Sequence, residues 1–223
     1  MKALFALAPL ALVAAAPVNW ATTARQAPSG AIVLGNPAAK VKFVEYLSFT
    51  CSHCAHFVDG SKLALKRDYV AKGAVSVEVR NAVRDRYDFT AALLARCGGP
   101  ARFYGNVEAI MAAQPAWMEK GSKIDAATTA KMQKLPINDS LKIIANSTGL
   151  TALMAKRGIT AAQSNACLTN KAEQDKIVAM TNEAWNVRKI NGTPAFLINN
   201  DAIEAAPEWS AVEPQIKAAL AAK

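Results

Sequence analysis

Short β-branched runs at the two ends of the chain bracket a long stretch of helical periodicity. Ala31-Ile32-Val33-Leu34 is an isolated apolar run between Pro28-Ser29-Gly30 and Gly35-Asn36-Pro37, which predicts a short edge strand followed by a turn. Val41 to Phe49 is rich in β-branched and aromatic residues and has the length of a strand. A helical stretch follows from about Ser52 to Lys72, closed by Gly73, and Val75 to Val83 then alternates as a second strand. Strand, helix and strand in that order predict a parallel pair with a right-handed crossover. From about Arg86 to Asn186 the signal is helical, interrupted at Gly98-Gly99-Pro100, Gln114-Pro115, Leu135-Pro136, Gly149 and Gly158, with a long helix from Lys171 to about Lys189. Strand character returns at Ala195-Phe196-Leu197-Ile198, then a turn, a short strand at Ala202-Ile203-Glu204 and a last helix from about Ser210 to Ala222. The pattern is α/β at both ends and all-helical between, without an internal repeat.

Composition narrows the function classes. The 223 residues are 52% hydrophobic and 19% charged, enough to bury a core and too apolar for a disordered chain. The formal charge is +9, but the lysines and arginines are scattered, with no basic run or interleaved aromatic stripe, so nucleic-acid binding is not expected. The N-terminus pairs Lys2 with an uncharged Ala-, Leu- and Val-rich stretch, Ala3 to Ala16, that gives way to small and polar residues. That is the layout of a secretory leader, and the apolar run is shorter than the ~20 residues of a membrane span. Residues 1–24 therefore read as a signal peptide cleaved between about 16 and 27, with an uncleaved anchor as the alternative; residues 25–223 form the mature domain. Export admits disulfides, and four cysteines allow three pairings.

Cys51-Ser52-His53-Cys54 lies where a strand ends and a helix starts. A cysteine at a helix N-terminus faces unpaired N–H groups and the positive end of the dipole, both of which stabilise a thiolate, so Cys51 reads as the nucleophile. Cys54, one turn further on, can close a small disulfide ring, and His53 can donate a hydrogen bond or positive charge to Cys51. A zinc site with His53 and His56 is disfavoured, because His56 points away from Cys54 on a helix. A Cys-His hydrolase lacks a histidine distant in sequence. A purely structural crosslink fits badly, since so small a ring hardly constrains the unfolded chain. Once Cys51 and Cys54 are paired, Cys97 and Cys167 are left together in the helical middle. Their bond would close a loop of about 70 residues and contribute roughly 4 kcal/mol in the chain-entropy model; two free buried thiols are the alternative.

Phe43-Val44-Glu45-Tyr46-Leu47-Ser48-Phe49-Thr50-Cys51-Ser52-His53-Cys54-Ala55-His56-Phe57 resembles the active-site strand and helix of the DsbA-like thiol:disulfide oxidoreductases of the bacterial envelope, and Asn191-Gly192-Thr193-Pro194-Ala195-Phe196 resembles that family's cis-proline loop. The resemblance implies a thioredoxin fold with an all-helical insertion, at about residues 86–180, between its two halves. It implies that Pro194 is cis beside the active-site disulfide, that Thr193 offers its backbone to an extended substrate peptide, and that Glu45 is a buried acid moving protons to and from Cys54. It further implies a periplasmic enzyme that needs no cofactor, takes reduced exported proteins as substrates and is recharged by a membrane redox partner. Two departures touch the direction of the reaction: Ser52-His53 stands where Pro-His is typical, and Thr precedes the proline where strong oxidases often have Val. A reductase or isomerase, and a redox-inert peptide-binding module, are the competing functions.

Overall fold

The computed structural model describes residues 18–222; the charged start and apolar run read as a leader fall in residues 1–17, outside the described residues. Six strands, β1 (Ala24–Gln26), β2 (Ile32–Leu34), β3 (Val41–Leu47), β4 (Val75–Asn81), β5 (Ala195–Ile198) and β6 (Asp201–Ile203), form one sheet in the spatial order β1-β2-β4-β3-β5-β6. Only β3 and β4 run parallel, joined through helix α1 (Ser52–Ala64) and a π-helical turn over Leu65–Val70; the other neighbours are antiparallel.

Two expectations about the strands are corrected. The run at Ile32–Leu34 is not an edge, because β1 pairs outside it, Ala24 opposite Leu34. The periodicity missed β1 since its Arg25 and Gln26 are exposed and carry no apolar alternation. The strand expected to reach Phe49 ends at Leu47, and Ser48-Phe49-Thr50 leaves the sheet as a buried loop that delivers Cys51.

The middle of the chain folds into eight helices, α2 (Arg86–Ala95), α3 (Pro100–Ala112), α4 (Gln114–Ser122), α5 (Ala126–Lys134), α6 (Ile137–Ser147), α7 (Leu150–Lys156), α8 (Ala161–Leu168) and α9 (Lys171–Asn182). Their breaks follow the glycines and prolines, with Pro100 and Pro115 in first turns, where the missing N–H costs nothing. The long helix expected to Lys189 stops as an α-helix at Asn182 and continues as a π-helical turn over Glu183–Val187. Helix α10 (Trp209–Ala221) closes the fold.

The core has two main parts. Leu93, Leu94, Phe103, Ile110, Leu141 and Leu150 pack the helical insertion, continuous with the buried Cys51 and Cys54. On the sheet, Phe43, Phe57 and Phe196 form an aromatic cluster, with Phe57 4.6 Å and Phe43 5.6 Å from the Phe196 ring, and Val212 and Ile216 of α10 cover it. That cluster locks α1 against β5. Cys97, just past α2, and Cys167 in α8 are disulfide-bonded with Cα atoms 5.6 Å apart, tying two helices of the insertion across 70 residues of sequence.

Candidate active site

Strand β3 delivers the nucleophile and strand β5 delivers the proline loop. Antiparallel pairing sets Tyr46 opposite Ala195, so the residues just past Tyr46 and just before Ala195 emerge at the same end of the sheet. Cys51 is the N-cap of α1, and Cys54, Phe57, Val58 and Ser61 are the buried stripe that fixes the helix on the core. The Thr193–Pro194 peptide bond is cis. It brings the Thr193 carbonyl within 3.0 Å of Cys51 Sγ, which donates to it as a thiol.

Cys51 and Cys54 are present as free thiols, and their acidities are driven apart. The Cys51 thiol is lowered from 9.0 to about 4: the Cys54 side chain donates to its sulfur, the Thr193 side chain does the same, and the backbone N–H groups of Cys54 and His53 add to them, all against the cost of burial. Thr193 Oγ1 is buried with no hydrogen-bond partner, so its hydroxyl is free to serve a Cys51 thiolate in addition to the backbone role expected of Thr193. The contribution of His53 is also different from the one expected: its side chain is exposed, and what serves the sulfur is its backbone N–H at the start of the helix. Cys54 moves the other way, well above 9.0, first because it is buried and then because its proton is held by Cys51.

Glu45 sits on β3 opposite Val79 and Phe196, a carboxyl 4% exposed in a hydrophobic row. Its Oε1 has no hydrogen-bond partner. Burial, reinforced by the negative charge of Cys51, raises it from 4.5 to about 8. A cavity of about 40 Å³ adjoins this carboxyl, lined mostly by aliphatic side chains with Ser61, Tyr104 and the Lys66–Glu108 ion pair among them. It is wide enough to admit water to a group that must exchange a proton. Beside the proline loop a groove of about 870 Å³ runs past Thr193, Pro194 and Phe196, rimmed by Arg188 and Lys189.

Sequence reasoning missed the residues around the loop before Cys51. Asp88 Oδ1 accepts from the Phe49 N–H at 2.7 Å, and its Oδ2 accepts from Ser48 Oγ at 2.6 Å and the Arg84 N–H at 3.0 Å. Gln114 Nε2 donates to the carbonyls of Phe49 at 2.7 Å and Cys51 at 2.9 Å. In the sequence Asp88 reads as an ordinary acidic residue in a helix's first turn and Gln114 as part of a helix break, so neither carried a signal.

With this geometry the relatives can be placed. A thioredoxin family profile matches residues 28–218. A Rickettsia typhi protein described as a protein-disulfide oxidoreductase is 30% identical over 169 residues, covering 75% of this chain and 54% of the relative. The chain thus spans about half the length of the curated relatives it matches. The crystal structure of a protein-disulfide isomerase from Novosphingobium aromaticivorans superposes with a TM-score of 0.79 at 36% identity, covering 85% of this chain and 97% of that one. Wolbachia pipientis alpha-DsbA1 shares the fold, with a TM-score of 0.67 at 22% identity over 84% of this chain and 89% of that one.

Two outcomes are expected from the site. Glu45→Gln removes a carboxyl whose pKa is raised on folding, so the native state holds its proton more tightly between about 4.5 and 8 and loses stability as pH rises through that window. Chemical denaturation should show Glu45→Gln gaining stability over the parent at pH 8.5 and little or nothing at pH 4. Thr193→Val keeps the side-chain shape and removes the hydroxyl donor; thiolate absorbance should place the Cys51 transition about one unit higher, the size of one hydrogen bond to a charged sulfur.

Proposed function

The chain belongs to the thioredoxin family, with DsbA-like architecture, and on that footing we propose that it is a dithiol oxidase passing a disulfide from Cys51-Cys54 to reduced exported proteins in the bacterial periplasm. The observation that carries this reading is the split between the two thiols, with Cys51 drawn down to about 4 and Cys54 held well above 9.0 beside the cis-proline loop.

In the oxidised enzyme a substrate thiolate attacks Cys51 Sγ. A substrate–Cys51 disulfide forms, the Cys51–Cys54 bond breaks, and the electron pair leaves on Cys54. Neutral Glu45 stands ready to give that sulfur its proton and regains one from water through the adjoining cavity. A second substrate thiolate then attacks the substrate sulfur of the mixed disulfide and expels Cys51 as a thiolate, so the substrate departs oxidised and the enzyme reduced. The low pKa makes Cys51 a good leaving group in this step and makes the reduced enzyme the favoured product, the mark of an oxidant. The groove beside Thr193 and Pro194 gives an extended peptide room along the proline loop. A membrane redox partner returns the enzyme to the disulfide form. The isomerase description of the 36%-identical Novosphingobium structure favours a second reading, in which the same Cys51 thiolate attacks misplaced disulfides.

The direction has a thermodynamic test. A thiol whose pKa falls from 9.0 to about 4 on folding stabilises the folded reduced protein; that contribution is complete above 9.0 and is lost as pH falls through 4. At pH 7 the reduced protein should melt at a higher temperature than the oxidised one, with the gap closing as pH approaches 4. An oxidised form that melts higher at pH 7 supports the reductase reading instead. Cys51→Ser should abolish oxidation of a reduced test protein, and Cys54→Ser should trap a mixed disulfide on Cys51.

Export supplies the oxidising compartment this direction needs. Asn19 caps a short turn over Trp20–Thr22, and β1 pairs in the sheet from Ala24, features that favour processing upstream of Asn19 within the 16–27 window. N-terminal sequencing of the protein recovered from a periplasmic fraction should therefore begin between residues 17 and 19; a start after Ala24 would cost the sheet a strand and overturn this placement.

A further inference from the structure

The segment that delivers Cys51 is held by the helical insertion. Ser48, Phe49, Thr50 and Cys51 are all buried. Buried backbone groups outside a sheet need partners, and here the partners are side chains. The Phe49 N–H and the Ser48 hydroxyl bond to Asp88, and the Phe49 and Cys51 carbonyls bond to Gln114. The Thr50 carbonyl accepts from Arg84 Nη2 at 2.9 Å, and the Thr50 hydroxyl donates to Asp85 Oδ2 at 3.1 Å. Within the loop the Cys51 N–H returns to the Ser48 carbonyl at 3.2 Å.

From this bracket we infer that Asp88 and Gln114 are positioning residues of the thiol chemistry, fixing Cys51 Sγ against the N–H groups at the start of α1. The inference rests on the dithiol–disulfide reading above and deepens it. Two of the three donors to the Asp88 carboxyl are loop groups, the Phe49 N–H and the Ser48 hydroxyl, and the third is the Arg84 N–H just ahead of α2; the α2 N-cap itself is Asp85, which accepts from the Asp88 N–H at 2.9 Å. The Asp88 carboxyl is fully buried, and burial lifts it from 3.8 to about 7 against the pull of its donors, an unfavourable arrangement for a group that only filled space. Gln114 completes the bracket from α4, so two separate helices of the insertion grip opposite polar groups of Phe49. The same loop serves the second sulfur, because the Ser48 N–H donates towards Cys54. A loop free to shift would weaken the contacts to Cys51 Sγ that depend on angle and distance, and the pKa split would narrow.

The test uses the full mature protein with Asp88→Asn, which replaces an acceptor by a donor, and Gln114→Met, which keeps the volume and removes the donor. Asp125→Asn, at the N-cap of α5 and away from the loop, is the control for general weakening of the insertion. In both loop variants thiolate absorbance should move the Cys51 transition upward by about one unit, and the reduced fraction in a fixed glutathione buffer should fall by about tenfold relative to the oxidised, while Asp125→Asn leaves both readings at the parent value. If Asp88→Asn does not fold, Gln114→Met decides. Parent-like titration and redox balance in a folded Gln114→Met overturn the inference, as does an equal shift in Asp125→Asn. A parent protein whose own Cys51 titrates as a free thiol overturns the oxidoreductase reading instead.

Discussion

The antiparallel register of β3 against β5 is the constraint on which the site depends. Cys51 and Thr193 are 142 residues apart in sequence, and they meet because Tyr46 lies opposite Ala195 and each strand then leaves the sheet at the same end. A slip of one residue would exchange the faces of Phe196 and Leu197, withdraw the Phe196 ring from Phe57, and release α1 from the strand that carries the proline loop. β3 and β5 are buried on both faces, so register is set by which apolar side chain fits which layer. The Phe43–Phe57–Phe196 cluster is thus a condition of the sulfur chemistry as well as of stability.

Once the two loops meet, the electrostatics follow from which groups keep donors and which do not. Cys51 is buried yet served by several donors, and their sum outweighs desolvation; Cys54 and Glu45 are buried with too few, and desolvation wins. The three groups are coupled. A thiolate on Cys51 raises both Cys54 and Glu45, so the site in its reduced form holds one negative charge and keeps it on the outermost sulfur. Glu45, in a hydrophobic row with an unpartnered oxygen, stays protonated near neutrality, which is the state a proton donor to Cys54 requires.

Much of this was legible in the sequence because it rests on local signals. The strand–helix–strand unit and the placement of Cys51 at a helix start read from short windows, while Glu45 and Pro194 stood out through the resemblance to the family. What could not be read depends on side chains meeting across long separations. His53 looked like the charged neighbour of the thiolate, but the helix turns its imidazole to solvent and presents its N–H inward. Thr193 reads as a backbone contact until its hydroxyl is found buried without another partner. β1 has no apolar alternation to reveal it, since it only has to cover one side of β2. Asp88 and Gln114 act on a loop 39 and 65 residues away from them, and no periodicity connects such positions.

That distance gives the insertion a mechanical role in the fold. A bracket fixes a loop only if it is itself stiff, and the insertion is tied where the bracket is attached. Asp88 lies in the first turn of α2 and Cys97 just past its end, Cys97 is bonded to α8, and Asn106 Nδ2 of α3 donates to the carbonyls of Ala95 and Cys97 at 3.1 and 3.0 Å. Arg96, almost fully buried, pairs with Glu173 of α9 within the insertion and reaches out of it to the Gly30 carbonyl in the turn between β1 and β2. The segment that holds the Cys51 loop is thus tied by its own disulfide, by Asn106 and, through Arg96, to the turn between β1 and β2.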